Sequence, residues 1–191
     1  MSKSVGNVIS PEHLVSTYGL DQSRYALMRE VPFGNDGDFS HSHVVNRINA
    51  DLANNLGNLV QRTLSMIAKN CDGKVPNRDD SKLKPEDAAL MNLVRVTEGD
   101  TPAKTREAMQ RCKFGEVLGA ILDMSSQANK YIDDTAPWGL KKTDPERMHA
   151  VLYHLAEAIR CIAIMLQPFM PDSATKLLEL LPRETGTIGL G

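Results

Sequence analysis

Between residues 44 and 71, apolar side chains fall at Val45, Ile48, Leu52, Leu56, Leu59, Val60, Leu64 and Ile67. Steps of three and four put them on one face of an α-helix, because about 3.6 residues complete a turn. No proline interrupts the run, and Gly57 is its only weak helix former, so the pattern predicts one long α-helix. On roughly the opposite face, Asn54, Asn58 and Arg62 follow one another at four-residue steps. Two amides and a guanidinium in a row form a polar ladder that can pair with a planar hydrogen-bonding partner. A solvated face of ordinary polar residues is the default alternative.

The remaining pattern is also helical. Ser10, Pro11 and Glu12 form a helix start, with a hydroxyl cap, a proline at the first helical position and an acid in the first turn. That helix stops at Gly19. Asp21 is placed to cap a second one through Leu27 and Met28, which Pro32 ends. Residues 33–39, FGNDGDF, are turn chemistry and mark a boundary. Pro85 opens a helix with Leu90, Leu93 and Val94 inward, with a break or kink at residues 99–102. A helix follows over residues 114–133, and then a loop over 135–143 that holds the only tryptophan, Trp138, behind Pro137. Asp144 and Pro145 repeat the cap-then-proline start. The helix they open carries Val151, Leu152, Leu155, Ile159, Ile162 and Leu166 on one face. Pro168 and Pro171 end it, and a short helix with Leu177, Leu178 and Leu181 closes the pattern. Residues 183–191 are expected to form a frayed tail. No segment alternates with period two between hairpin turns. The predicted fold is therefore all-α, a helical bundle, with a small module over 1–39 and the bundle over 40–182.

Composition narrows the function classes. The chain has 191 residues, 41% hydrophobic and 24% charged, with a formal net charge of −2. A nucleic-acid partner would therefore be met through a local patch and not a general basic field. The three widely spaced cysteines fit no zinc or redox motif, and their odd number suits a reducing compartment. The polar start is no signal peptide, and the most apolar segment, 161–170, is too short to span a bilayer. A cytoplasmic chain without a membrane partner is expected. Asp36 and Asp38 lack the further oxygens that calcium needs. His41 and His43 point in different directions on a helix, so no metal is expected.

Two features carry chemistry. Lys3, among Met1, Ser2 and Ser4, offers a point charge with hydroxyl and backbone donors suited to polyphosphate. Trp138 is either a core plug or a rigid platform for stacking an unpaired base.

The segments MSKSVGNVI, REVPFGNDGDFS, NADLANNLGNLVQR and NKYIDDTAPW together resemble the methionyl-tRNA synthetase family, class I enzymes of the KMSKS type. The resemblance runs from Met1 to about Pro171. It implies the linking module and helical anticodon-binding domain of that family. Lys3 is similar to the second lysine of the KMSKS signature, which contacts ATP phosphates. Asn58, Arg62 and Trp138 match positions that read the CAU anticodon of methionine tRNA, with Asn54 and Pro137 as further candidates. The family attaches methionine to tRNA using ATP. The first signature lysine and the nucleotide-binding half with its HIGH motif are not in this sequence. The chain alone is therefore expected to be inactive, with the catalytic half as a partner. Apolar faces with Leu14, Val15, Tyr25, Leu27 and Met28 are expected to pack partly against that half. The alternatives are the equivalent part of a cysteine, isoleucine or valine enzyme, or a non-catalytic helical adaptor.

Overall fold

The computed structural model describes residues 10–30, 40–94 and 100–181. Met1, Ser2, Lys3, Ser4, the turn at 33–39 and the tail at 182–191 lie outside the described residues. Among those described there is no strand. The helices are α1 (Pro11–Tyr18), α2 (Leu20–Glu30), α3 (His41–Arg47), α4 (Asn58–Asn70) and α5 (Pro85–Val94). After these come α6 (Asp100–Gln110), α7 (Phe114–Thr135), α8 (Pro137–Thr143), α9 (Pro145–Leu166) and α10 (Pro171–Glu179).

The local starts behave as their chemistry dictates. Ser10 caps α1 by accepting from the His13 N–H, and Asp144 caps α9 by accepting from the Arg147 N–H. Gly19 ends α1 at φ +89°, a conformation that a side chain would strain. Asp21 departs from expectation. It is buried and accepts from the main-chain N–H of Ser173 at 2.6 Å, so it caps α10 and not its own helix. Proline positions alone could not reveal this, because the two residues are 152 apart in sequence.

The long central helix is continuous but not uniform. Between α3 and α4 the chain winds as a π-helix, Ile48–Gly57. The expected single α-helix is thus corrected. A wider turn shifts the buried set, so Val44 is fully buried while Val45 and Ile48 are only half-buried. Gly57 sits where the wide turn closes, and a Cβ added there would stand 3.0 Å from the Leu52 carbonyl oxygen. Its weakness as a helix former and its suitability for this turn share a cause, the missing side chain.

α7 and α9 pack together at the centre, with α4, α5, α8 and α10 against α9 and α2, α6 and the π stretch against α7. Leu118, Ile121, Met124 and Ile132 of α7 meet Leu152, Leu155, Ile159 and Ile162 of α9 in the core. Each such side chain contributes roughly 1.5–3 kcal/mol of burial. The apolar helix is longer than the sequence segment suggested. α9 has 22 residues, and its most apolar 18-residue stretch has a mean hydropathy of 1.4, long and apolar enough to cross a membrane, yet it is the core helix of this bundle. α2 joins the same core through fully buried Tyr25, and Arg24 donates to the carbonyls of Phe169 and Pro168 at 3.0 and 2.8 Å. Leu14 is buried and Met28 half-buried, whereas Val15, Leu20 and Leu27 remain exposed.

Candidate functional site

The outer face of the π stretch and α4 does not meet open solvent alone. α7 runs beside it, and the two enclose a shallow groove of about 460 Å³. Asn54, Asn58 and Arg62 line one wall, as their spacing placed them. Ser126, Asn129, Lys130 and Asp133 of α7 supply the other. These α7 residues were not singled out from the sequence. Their signal was a second polar ladder at steps of three and four, 126, 129 and 133, whose partner lies 71 residues away.

Polar groups bridge the walls. Arg62 donates to Asp133 Oδ1 at 2.5 Å, with the arginine side chain 29% and the aspartate 62% exposed. Asn58 Nδ2 donates to Asn129 Oδ1 at 3.4 Å. Asn55, one residue beyond Asn54, donates to the Leu122 carbonyl and to Ser126 Oγ across the groove floor.

Next to Arg62 stands Trp138. The segment expected as a loop is instead the short helix α8. Ala136 at φ 41°, ψ 57° ends α7 in a left-handed turn, and Pro137 then occupies the first position of α8. Proline's fixed φ and missing N–H suit that position. Pro137 is buried and Leu140 packs against the core, so the helix turns Trp138 outward, where it is 54% exposed. A core plug is excluded by that exposure. The guanidinium carbon of Arg62 lies 5.6 Å from the indole centroid, within cation–π reach. Lys141 and Lys142 follow at three and four residues, hence on the same side of α8 as Trp138. Both are exposed, and the sequence reading passed over them.

Such a site offers amide groups, a guanidinium, a planar aromatic face and nearby ammonium groups. That combination suits an unpaired base with its phosphate. Among the described residues there is no group of three or more His, Cys, Asp or Glu that could hold a metal ion. His41 and His43 are exposed, and His41 meets Tyr18, at a ring separation of 5.5 Å.

Most of the chain is similar to known proteins. The model for the anticodon binding domain of methionyl tRNA ligase matches residues 78–187, and that for class I tRNA synthetases (M) matches residues 1–64. The methionine–tRNA ligase of Brucella suis is 54% identical over 182 residues, covering 95% of this chain and 34% of the relative. That of Enterococcus faecalis is 46% identical over 192 residues, covering 100% and 28%. Among solved structures, Mycobacterium tuberculosis methionyl-tRNA synthetase in complex with methionyl-adenylate superposes with a TM-score of 0.86 at 44% identity. It covers 94% of this chain and 35% of its own. The chain spans about a third of the length of the curated relatives it matches.

Proposed function

Because the chain belongs to the methionyl-tRNA ligase family of class I synthetases, we propose that the groove between α4 and α7 binds the CAU anticodon of methionine tRNA. Asn58 and Arg62 read the edge of the first anticodon base, cytosine, and Trp138 supplies the surface on which that base stacks. Asn54 extends the wall, and buried Pro137 sets the start of α8. The observation that carries the reading is the exposed indole of Trp138 within 5.6 Å of the guanidinium of Arg62, which lines the groove. A tryptophan kept for packing would be buried, and exposing an indole otherwise costs apolar burial.

Serving that role, residues 1–39 act as a linking module, with α2 clamped to the bundle by Arg24 and Asp21. Lys3 contacts ATP phosphates when methionine is activated with ATP and passed to tRNA, the reaction of the family. By itself this chain is expected to catalyse no methionine-dependent ATP–pyrophosphate exchange, and detecting such exchange in a clean preparation would overturn that expectation. None of Cys71, Cys112 and Cys161 is in a disulfide, which suits a reducing cytoplasm.

The deciding experiment is a gel shift of this chain with methionine tRNA beside the same tRNA carrying a changed anticodon. Preferential retention of the cognate RNA, weakening steeply with salt, is expected. Equal affinity for both would end the anticodon reading, and salt-insensitive or absent binding would favour a protein-interaction role.

A further inference from the structure

The floor of the groove holds a chain of three asparagine amides whose polarity is set from one end. Asn55 Nδ2 donates to the Leu122 main-chain carbonyl at 3.2 Å and to Ser126 Oγ at 2.9 Å. A carbonyl only accepts, so the nitrogen of Asn55 must face it. Its Oδ1 then points to Asn129. Asn129 Nδ2 donates to the main-chain carbonyls of Ser125 and Asn55 and to Asn55 Oδ1, each at 3.1 Å. Three oxygens around one nitrogen leave no place for a flipped amide, which would set oxygen against oxygen. Asn129 Oδ1 is thereby turned to Asn58, whose Nδ2 donates to it at 3.4 Å. With its nitrogen turned to Asn129, Asn58 has its Oδ1 left for the groove. Among the described residues no hydrogen bond reaches that oxygen.

We propose that Asn55 and Asn129 are positioning residues that fix the Asn58 amide as a hydrogen-bond acceptor and so determine selection of cytosine over uracil. This deepens the reading of the groove as the site for the first anticodon base and rests on it. Cytosine carries an exocyclic amino group, a donor, beside two acceptors, the ring nitrogen and the carbonyl. Uracil carries a carbonyl where cytosine has the amino group, and an N–H where cytosine has the bare ring nitrogen. An acceptor from Asn58 beside the donors of Arg62 complements cytosine and mismatches uracil at both places. A free asparagine would rotate its amide and accept either base. The main-chain π turn contributes, because the Asn55 carbonyl that anchors Asn129 lies within it.

The test measures binding of the whole chain to two anticodon stem-loops that differ only in cytosine or uracil at the first anticodon position. In Asn129→Ala the Asn58 amide is free to turn. The cytosine-to-uracil affinity ratio should fall roughly three- to tenfold, the range of one hydrogen bond, with part of the change coming from tighter uracil binding. A merely structural loss cannot tighten binding to uracil. In an Asn58→Ala background the same change at Asn129 should leave the ratio unmoved. Asn58→Asp keeps an oxygen toward the base and should retain preference for cytosine, although like charge near phosphate weakens both complexes. Asn55→Ala removes the side chain that orients Asn129, should lower the ratio in the same direction, and keeps the proposal testable if Asn129→Ala fails to fold, as checked by circular dichroism. An unchanged ratio in folded Asn129→Ala or in folded Asn55→Ala would overturn the positioning role while leaving the site itself intact. If the unmodified chain does not distinguish the two stem-loops, the base-reading role of the groove fails first and this inference falls with it.

Discussion

Two polar clusters are built on the same helix, α7, and they have opposite characters. Tyr131 belongs to a closed one. Its hydroxyl donates to Asp87 Oδ1 at 2.5 Å, and Arg147 clamps both oxygens of Asp87 at 2.5 and 2.8 Å. Asp87, Arg147 and Tyr131 are all buried, at 0%, 3% and 6% exposure. The Lys84 N–H also donates to Asp87, and Arg147 donates to the Lys82 carbonyl and to the half-exposed Glu86 carboxylate, each at 3.2 Å. Two residues to either side, Asn129 and Asp133 belong to the open groove. There Arg62 and Asp133 pair partly in solvent, and Trp138 waits beside them. The difference lies in water, not in residue type. A buried guanidinium is committed to its carboxylate, because releasing it would strand a charge in low dielectric. A solvated guanidinium can exchange partners at little cost. The first cluster therefore serves the fold, and the second is free to bind.

The largest expected effect comes from breaking the closed cluster. Arg147→Ala leaves the buried Asp87 carboxylate without its partner and should lower stability by about 3–5 kcal/mol in urea unfolding, and Asp87→Ala should cost less because Arg147 keeps Glu86. Arg62→Ala should cost roughly 0–1 kcal/mol in the same measurement. Equal losses at Arg62 and Arg147 would erase the contrast. The pH dependence sharpens it. Burial alone would raise the Asp87 carboxyl, but the bonds from Arg147, Tyr131 and the Lys84 N–H outweigh it and hold the group below its ordinary value. A folded value below the unfolded one means that this stability is present above about pH 4, the unfolded carboxylate range. It is lost as pH falls from there through the folded value. Asp87→Asn should flatten that acid limb, which urea midpoints measured between neutral and acid pH would reveal. Burial also pushes the Tyr131 hydroxyl well above its ordinary value, so it remains a donor to Asp87 throughout this range.

Next in size is the open cluster's effect on binding. Stacking is worth about 1–3 kcal/mol per base by alanine substitution, so Trp138→Ala should weaken anticodon binding roughly ten- to a hundredfold. Trp138→Phe should keep part of it. Its melting temperature should hardly move, since the indole is 54% exposed. A large thermal shift with unchanged discrimination between anticodons would make Trp138 a structural residue after all.

A smaller effect separates two glycines. Gly57→Ala should destabilise by about 1 kcal/mol, because the added methyl crowds the Leu52 carbonyl. Gly139→Ala meets nothing within 4 Å in α8 and should stabilise by roughly 0.4–1 kcal/mol. Thermal unfolding of both variants compares them directly. Smallest of all is the change at the surface lysines. Lys141→Ala and Lys142→Ala should weaken RNA binding uniformly across anticodons and reduce the salt slope by about 1 each. A change of base preference in either would place that lysine at a base edge and not at phosphate.

Much of this architecture was legible before any coordinate. The apolar stripe of α9 was readable from Val151 to Leu166 because a helix buried along one face repeats with its own period. Caps at Ser10 and Asp144 were readable because they act within three residues. The spacing of Asn54, Asn58 and Arg62 put them on one helix face, and they do line one wall of the groove. The π turn was not, because its apolar spacing also satisfies an α-helix and only the wider winding shows which residues turn inward. The helical form of α8 escaped for another reason: PWGLKKT is too short and too rich in breakers for its period to speak.

What the sequence by itself determined is therefore the set of things that act over one or two turns of chain: the helices, their caps, the apolar faces and the kinds of polar group available. Tertiary structure alone decided which distant groups met. It set Asp21 on α10, Asp87 on Arg147, Asn58 on Asn129 and Arg62 beside both Asp133 and Trp138. Those choices carry the proposed function, because burial and hydrogen-bond polarity belong to pairs of residues that sequence distance does not link. The same guanidinium or amide acts as structure or as reader according to how much water the packed helices leave around it.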